Sequence, residues 1–185
     1  MRRPAHRPSL RDLALDRAVD LLRAGEPLSL DSVARAAGLT KPGLMYHFPT
    51  KEALMTALVD RVVDGCEQEL AGFLPAGASA PTARERLTAY LRWALELPHD
   101  GSDLVMLSDP RLRDQLIERW SERLRTWVEV PDDLPAPERA RLHVVRLAAD
   151  GCWFADASGY APLTRDERRD VLLVGLGLLR QGDGR

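Results

Sequence analysis

Ser29-Leu-Asp-Ser-Val-Ala-Arg-Ala-Ala-Gly38-Leu-Thr-Lys-Pro-Gly-Leu-Met-Tyr-His-Phe48-Pro-Thr-Lys-Glu-Ala-Leu54 is the stretch that decides the fold. Ser29 can cap the free amides of a short helix that carries Val33, Ala34 and Ala37 inward and stops at Gly38. After the step Leu39-Thr40, a second helix runs from Lys41 to Phe48, with Thr40 as cap and Pro42 in its first turn. Proline is tolerated there because first-turn amides have no intrahelical partner. Pro49 closes the segment. Two short helices joined by a three- or four-residue turn containing glycine make the helix-turn-helix pattern, whose second helix enters the DNA major groove. Spacing alone is a weak signal, because any tight helix corner needs small residues such as Ala34 and Gly38.

Outward from this motif, nearly every segment between Pro and Gly punctuation has a 3.6-residue period and none alternates like a strand. Ser9, with Asp12 three residues on, opens a helix whose apolar face is Leu10, Leu13, Ala14, Ala18, Leu21 and Leu22, ended by Gly25 and Pro27. Thr50 caps a longer helix from Lys51 to about Phe73, with Leu54, Leu58, Val62 and Cys66 on one side. A small-residue linker spans 75–81. Thr82-Ala-Arg-Glu85 is a full capping box opening a helix to Leu97. Asp109-Pro110 starts another through Trp120 and Trp127 to about Val130, and Pro131, Pro135 and Pro137 mark a rigid loop. A helix from about Glu138 to Asp156 and a last one, boxed by Thr164 and Glu167 and running to Arg180, complete eight or nine helices. The expected class is all-α.

Composition narrows the function. The 185 residues are 45% hydrophobic and 29% charged, ordinary for a globular protein. The longest uncharged apolar run, Val171 to Leu179, is too short to span a bilayer, and the basic N-terminus lacks an apolar run behind it. No membrane partner and a cytoplasmic location are expected. Cys66 and Cys152 are far apart, which reads as reduced, buried thiols. His6, His47, His99 and His143 show no metal spacing, GxSxG and P-loop patterns are absent, and Gly175-Leu-Gly177 is an isolated fragment. An enzyme, a metal site and a cofactor are therefore not expected. A net charge of −2 argues against a nucleic-acid partner until it is resolved by region. Residues 1–51 carry +4 and residues 52–185 carry −6, and the only two lysines, Lys41 and Lys51, lie in the basic part.

Surface chemistry strengthens the motif. Thr40, Lys41, Tyr46, His47 and Lys51 gather hydroxyl, cationic and aromatic groups within twelve residues. Thr40 and the first-turn amides can hold a phosphate. Lys51, in the first turn of its helix, opposes the helix dipole, and an external anion would explain a cation placed there. An ordinary Tyr46-His47 aromatic pair and a solvated Lys51 are the structural alternatives.

The segment from Ser29 to Leu54 closely resembles the DNA-binding head of TetR-family transcriptional regulators. The resemblance is carried by Ala34, Gly38, Thr40, Tyr46-His47-Phe48, Lys51-Glu52 and Leu54. It implies that Thr40, Lys41, Tyr46 and His47 face DNA, with Gly43 on the same helix among the contacts, that Lys51 meets a phosphate, and that Phe48 is a buried plug. Pro42 and Met45 depart from the family pattern, which often has glycine and an aromatic there, so base preference does not carry over. Arg2, Arg3 and Arg7 read equally as a minor-groove arm or a plain tail.

The expected layout is a basic arm (1–8), a three-helix helix-turn-helix head (9–65, motif 29–48) and a helical ligand-binding and dimerisation domain (66–185). Its last two helices are apolar nearly all round, and Gly175 and Gly177 permit close approach, so they are the expected homodimer interface. Trp93, Met106, Trp120, Trp127, Trp153 and Phe154 are candidate walls for an unknown small-molecule effector. Asp150 is expected to pair with Arg146 one turn away. The expected function is a ligand-responsive repressor, dimeric on a palindromic double-stranded DNA operator. The alternatives are an activator, or a small-molecule-binding interaction protein whose DNA-binding head has degenerated.

Overall fold

A computed structural model describes residues 9–75, 77 and 80–181; the arm expected at 1–8 lies outside them. In order, the elements are α1 (Leu10–Arg23), α2 (Leu30–Ala36), α3 (Lys41–His47), α4 (Lys51–Gly72), α5 (Ala83–Glu96), a 3-10 helix (Gly101–Leu107), α6 (Arg113–Val128), α7 (Ala136–Ser158) and α8 (Arg165–Arg180). Among the described residues there is no strand, so the all-α reading holds. No helix of the described residues is long and apolar enough to cross a membrane.

Six of the eight α-helices start where a hydroxyl side chain accepts a first-turn amide: Ser9, Ser29, Thr40, Thr50, Thr82 and Thr164. At α5 and α8 the box is reciprocal, since Glu85 and Glu167 accept the backbone N–H of Thr82 and Thr164 at 2.7 and 2.8 Å. α6 starts differently. Asp109-Pro110 forms a turn instead of opening the helix, which begins four residues later at Arg113 without a side-chain cap. Asp109 Oδ1 accepts the Arg111 N–H at 2.8 Å, so its carboxylate closes that turn. The 3-10 helix before it has no counterpart in the periodicity reading, because a 3-residue turn leaves no 3.6-residue pattern.

The face of α1 also needs correction. Leu10 is more than half exposed, while Leu15 is buried with Ala14 and Ala18. Leu10 is the first residue of the helix. In the body, α5 is the central helix, packed against α6, α7 and α8, while α4 packs along α6 and reaches α1 and α5. α4 is unbroken from head to body, so residues 65 and 66 fall in mid-helix. Gly175 lets α8 approach α5 closely, since a Cβ there would stand 2.6 Å from Leu91 Cδ2; a Cβ at Gly177 would meet nothing within 4 Å. Arg168 of α8 donates to the carbonyls of Leu95 (3.0 Å), Leu97 (2.9 Å) and Ala94 (3.3 Å), satisfying the C-terminal end of α5, and pairs with Asp156. Cys66 is buried and Cys152 half-buried, both as free thiols.

Candidate nucleic-acid interface and its attachment to the body

α2 ends in a six-residue reverse turn. The Leu39 N–H bonds the Ala34 carbonyl at 2.8 Å and the Gly38 N–H bonds Arg35 at 3.2 Å, with Gly38 at φ +67°. Only glycine takes that conformation without strain, and it turns the chain into α3. Thr40 Oγ1 accepts the Gly43 N–H at 3.1 Å. A Cβ at Gly43 would stand 3.1 Å from that same oxygen, so glycine there also serves the cap.

α3 is held from below. Leu44 and Phe48 are almost wholly buried in the core that also holds Val33, Ala34, Leu54 and Leu58, each contributing about 1.5–3 kcal/mol. The Arg11 guanidinium covers the Phe48 ring, 5.2 Å from its centroid. With that face fixed, the remaining residues of α3 point away from the core. Tyr46 is 86% exposed, Met45 39%, and Lys41 and Pro42 are exposed. His47 is half-buried, its ring edge-on to Tyr46 at 5.2 Å. The pair is therefore a contact within one helix, with Tyr46 exposed and His47 half-buried, not a contact between helices.

The two lysines occupy different settings. Lys41 Nζ meets Asp31 Oδ2 at 2.9 Å with both side chains half exposed, a screened pair of little energetic weight. Lys51 Nζ meets Asp109 Oδ2 at 2.6 Å. There the lysine side chain is 45% exposed and the aspartate only 10%. The Lys51 ammonium, together with the Arg111 amide, holds the Asp109 carboxyl below its usual range. Sequence reasoning missed Asp109. The one available signal, a cation at a helix N-terminus, pointed to an anion without saying that the chain supplies one from 58 positions away.

Further along α4, Asp60, Asp64 and Glu67 share a face opposite Arg119 and Arg123 of α6. Arg119 grips Asp60 at 2.8 and 3.2 Å. Arg123 Nη2 reaches Asp64 at 2.7 Å and Glu67 at 2.6 Å; Asp60 raises the Arg119 guanidinium pKa, and Glu67 with Asp64 raises that of Arg123. Across the head, Arg61 of α4 pairs with Asp16 of α1 at 2.5 Å. The helix that carries Lys51 is thus tied to α1 on one side and α6 on the other.

In the body, Trp93 is buried and stacks on Tyr90 at 5.6 Å, while Trp120 stacks on Trp153 at 5.8 Å. Trp93 and Trp153 stand 6.5 Å apart, joining the two stacks. The Trp93 indole donates to Glu69 at 2.8 Å and the Tyr90 hydroxyl to Asp150 at 2.8 Å. Asp150 also takes Arg146 at 2.7 Å, the expected internal pair. Trp153 Nε1 is buried with no hydrogen-bond partner among the described residues. Met106 is buried and Trp127 half-buried in the same core. Phe154 stands apart, 43% exposed on the outer side of α7 in line with Val144 (54%) and Leu147 (57%). Beside them on α8, Leu173 and Val174 are 56% and 65% exposed, and an apolar groove of about 290 Å³ runs between the two helices.

Comparison with known proteins finds matches over two separate stretches of the chain. The profile described as "Bacterial regulatory proteins, tetR family" matches residues 15–58, and that of "Tetracyclin repressor-like, C-terminal domain" matches residues 104–173. The HTH-type transcriptional regulator EthR of Mycobacterium tuberculosis is 36% identical over 63 residues, which are 32% of this chain and 29% of that protein. The chain thus matches less than a third of the length of that relative. EthR of Mycolicibacterium smegmatis is 25% identical over 155 residues, 76% of this chain and 69% of that protein. Among solved structures, a TetR-family regulator from Rhodococcus sp. aligns with TM-score 0.62 at 18% identity, covering 92% of this chain and 98% of that one. A TetR-family member from Streptomyces coelicolor aligns with TM-score 0.58 at 23% identity, covering 90% and 98%. At these identities the structures speak for the fold.

Proposed function

Because the chain belongs to the TetR family of bacterial regulatory proteins, we propose that it is a cytoplasmic, sequence-specific DNA-binding regulator, a homodimeric repressor released from its operator by a small molecule. It is a regulator and not an enzyme. The observation that carries this reading is the outer face of α3. A seven-residue helix pinned by Leu44 and Phe48 presents Lys41, Met45 and Tyr46 outward, with His47 half-buried beside Tyr46. Rigid support beneath an exposed polar and aromatic face suits readout of base edges and phosphates. In this reading Thr40, Lys41, Gly43, Tyr46 and His47 lie in the major groove and Lys51 engages a phosphate. Met45 can offer an apolar contact to a thymine methyl.

The proposed division is an arm at 1–8, a head at 9–65 and a ligand-binding and dimerisation body at 66–185. Dimerisation through α7 and α8 is supported by the exposed stripe of Val144, Leu147 and Phe154 with Leu173 and Val174. The positions 144, 147, 151 and 154 follow the alternating three-and-four spacing of a helix that packs along a partner helix. A two-fold dimer presents two copies of α3 to two half-sites. Effector contact is proposed around the Trp120–Trp153 stack, where the unpartnered Trp153 N–H could receive a ligand acceptor.

The test is a mobility shift with the full chain and DNA from upstream of its own coding region and its neighbour's. A sequence-specific complex resisting unlabelled competitor is expected. No specific complex, with or without candidate effectors, would leave a helical small-molecule-binding protein with a degenerate head.

A further inference from the structure

We propose that Asp109 competes with DNA phosphate for the Lys51 ammonium, so that the free protein occupies its own phosphate contact and binding exchanges one anion for another. The inference rests on the DNA-binding reading above and adds to it a residue of the body that limits affinity.

The geometry is asymmetric. Asp109 is fixed independently of Lys51, because Oδ1 accepts the Arg111 N–H at 2.8 Å while Oδ2 alone faces the ammonium at 2.6 Å. Its side chain is 10% exposed, so neither water nor phosphate reaches it easily, whereas Lys51 keeps 45% of its surface open. An ammonium carries three N–H donors, and those not aimed at Asp109 lie on the open side. A phosphate arriving there must share the ammonium with a fixed carboxylate that already holds it at 2.6 Å, so part of the charge of Lys51 is already satisfied by Asp109. Retaining the lysine on Asp109 weakens the phosphate contact. Releasing it strips Oδ2 of its partner. Either route lowers affinity below that of an unrestrained lysine.

Lys41 provides the internal contrast. Its partner Asp31 is 59% exposed, so water takes over when the pair opens. The buried position of Asp109 removes that compensation. Asp109 also begins the turn into α6, which Arg119 and Arg123 tie to α4. A rearrangement of the body that shifts this turn changes how firmly Lys51 is held, which gives the body control of one phosphate contact without moving α3.

The experiment is a fluorescence anisotropy titration on a duplex selected by the wild-type chain from a random-sequence pool, at several salt concentrations. It compares wild type, Asp109→Asn, Lys51→Ala and the double variant. Asp109→Asn should tighten binding about fivefold, the upper end for a partly screened pair. In the Lys51→Ala background the same change should have no effect. Asp109→Ser also keeps an acceptor for the Arg111 amide and serves as a second reading if the asparagine variant melts early. Unchanged or weaker binding in the Asp109 variants overturns the proposal, because Asp109 would then be positioning Lys51. A gain that persists without Lys51 overturns it too, as a general effect of removing negative charge. If the wild type selects no duplex at all, the DNA-binding reading fails first and separately.

Discussion

Gly175 of α8 backs directly onto Leu91 of α5. The missing side chain is what lets the helices meet, since a Cβ at that position would lie 2.6 Å from Leu91 Cδ2 and 3.4 Å from Cδ1. Leu91 is fully buried, so its methyl groups have little room to retreat. Overpacking of this kind costs about 1–3 kcal/mol, whereas glycine to alanine inside a helix gains about 1 kcal/mol. Gly175→Ala should therefore lower stability by about 1 kcal/mol net. Pairing it with Leu91→Val should recover part of the loss, a coupling read from a double-mutant cycle in urea. Additive losses would show that the two residues do not share the site.

The capping boxes make a pH prediction. The Thr82 backbone and hydroxyl groups hold the Glu85 carboxyl below its usual range, the Thr164 hydroxyl and amide do the same for Glu167, and the Ser9 hydroxyl lowers Asp12. A carboxyl depressed in the folded state contributes stability that is present above its unfolded pKa and lost as pH falls through the folded one. The helix caps should thus weaken as pH drops below about 4.5, the ordinary value for glutamate. Glutamine keeps the acceptor without titrating, so Glu85→Gln with Glu167→Gln should reduce the number of protons taken up on acid unfolding. A midpoint-against-pH series that is parallel to wild type would show that neither carboxylate takes part.

Those caps were also the most legible part of the chain. A hydroxyl followed three residues later by its amide partner is a local relationship, so Ser9, Ser29, Thr40, Thr50, Thr82 and Thr164 could all be placed from spacing. Where the reading failed, the deciding contact was distant. Leu10 and Leu15 are equally apolar, and only the packing of other elements on α1 decides which is covered. Gly175 was legible as a point of close helix approach, but that Leu91 of α5 fills the space depended on the folded body. Lys51 announced that it needs an anion, but α4 and the Asp109 turn had to be folded together before the chain's own carboxylate could be found. On α3 the pattern was readable because each role depends on the same short helix: Leu44 and Phe48 inward, Tyr46 outward.

That division on α3 separates stability from recognition. Tyr46→Ala removes a side chain that is 86% exposed, so unfolding free energy should change by no more than about 0.5 kcal/mol. Affinity for the selected duplex should fall by a factor of about 10, within the range for loss of a base contact. Phe48→Ala should destabilise the head by about 3–5 kcal/mol, because the ring is 1% exposed. Lys51→Ala should weaken binding to all sequences and flatten the salt dependence by about one unit. An alanine at Tyr46 that binds like wild type would exclude it from the interface.

The outer face of α7 tests the proposed assembly. Leu147 is 57% exposed and its neighbours on the stripe, Val144 and Phe154, are exposed as well, so a charge at Leu147 has solvent around it in a single chain. In a dimer packed through α7 and α8 the same charge would be buried opposite its own copy, near the two-fold axis, with no partner to neutralise it. Leu147→Arg should therefore leave helical content and monomer folding intact while driving the chain to a monomer in sedimentation velocity. Operator affinity should collapse in parallel, because a monomer contacts one half-site and loses the effective concentration that joining two heads supplies, a factor of about 10²–10⁴. Val174→Arg on α8, 65% exposed beside the same groove, should repeat the result from the other helix. A dimer that survives both substitutions would place the interface elsewhere and leave the apolar groove between α7 and α8 to a different occupant.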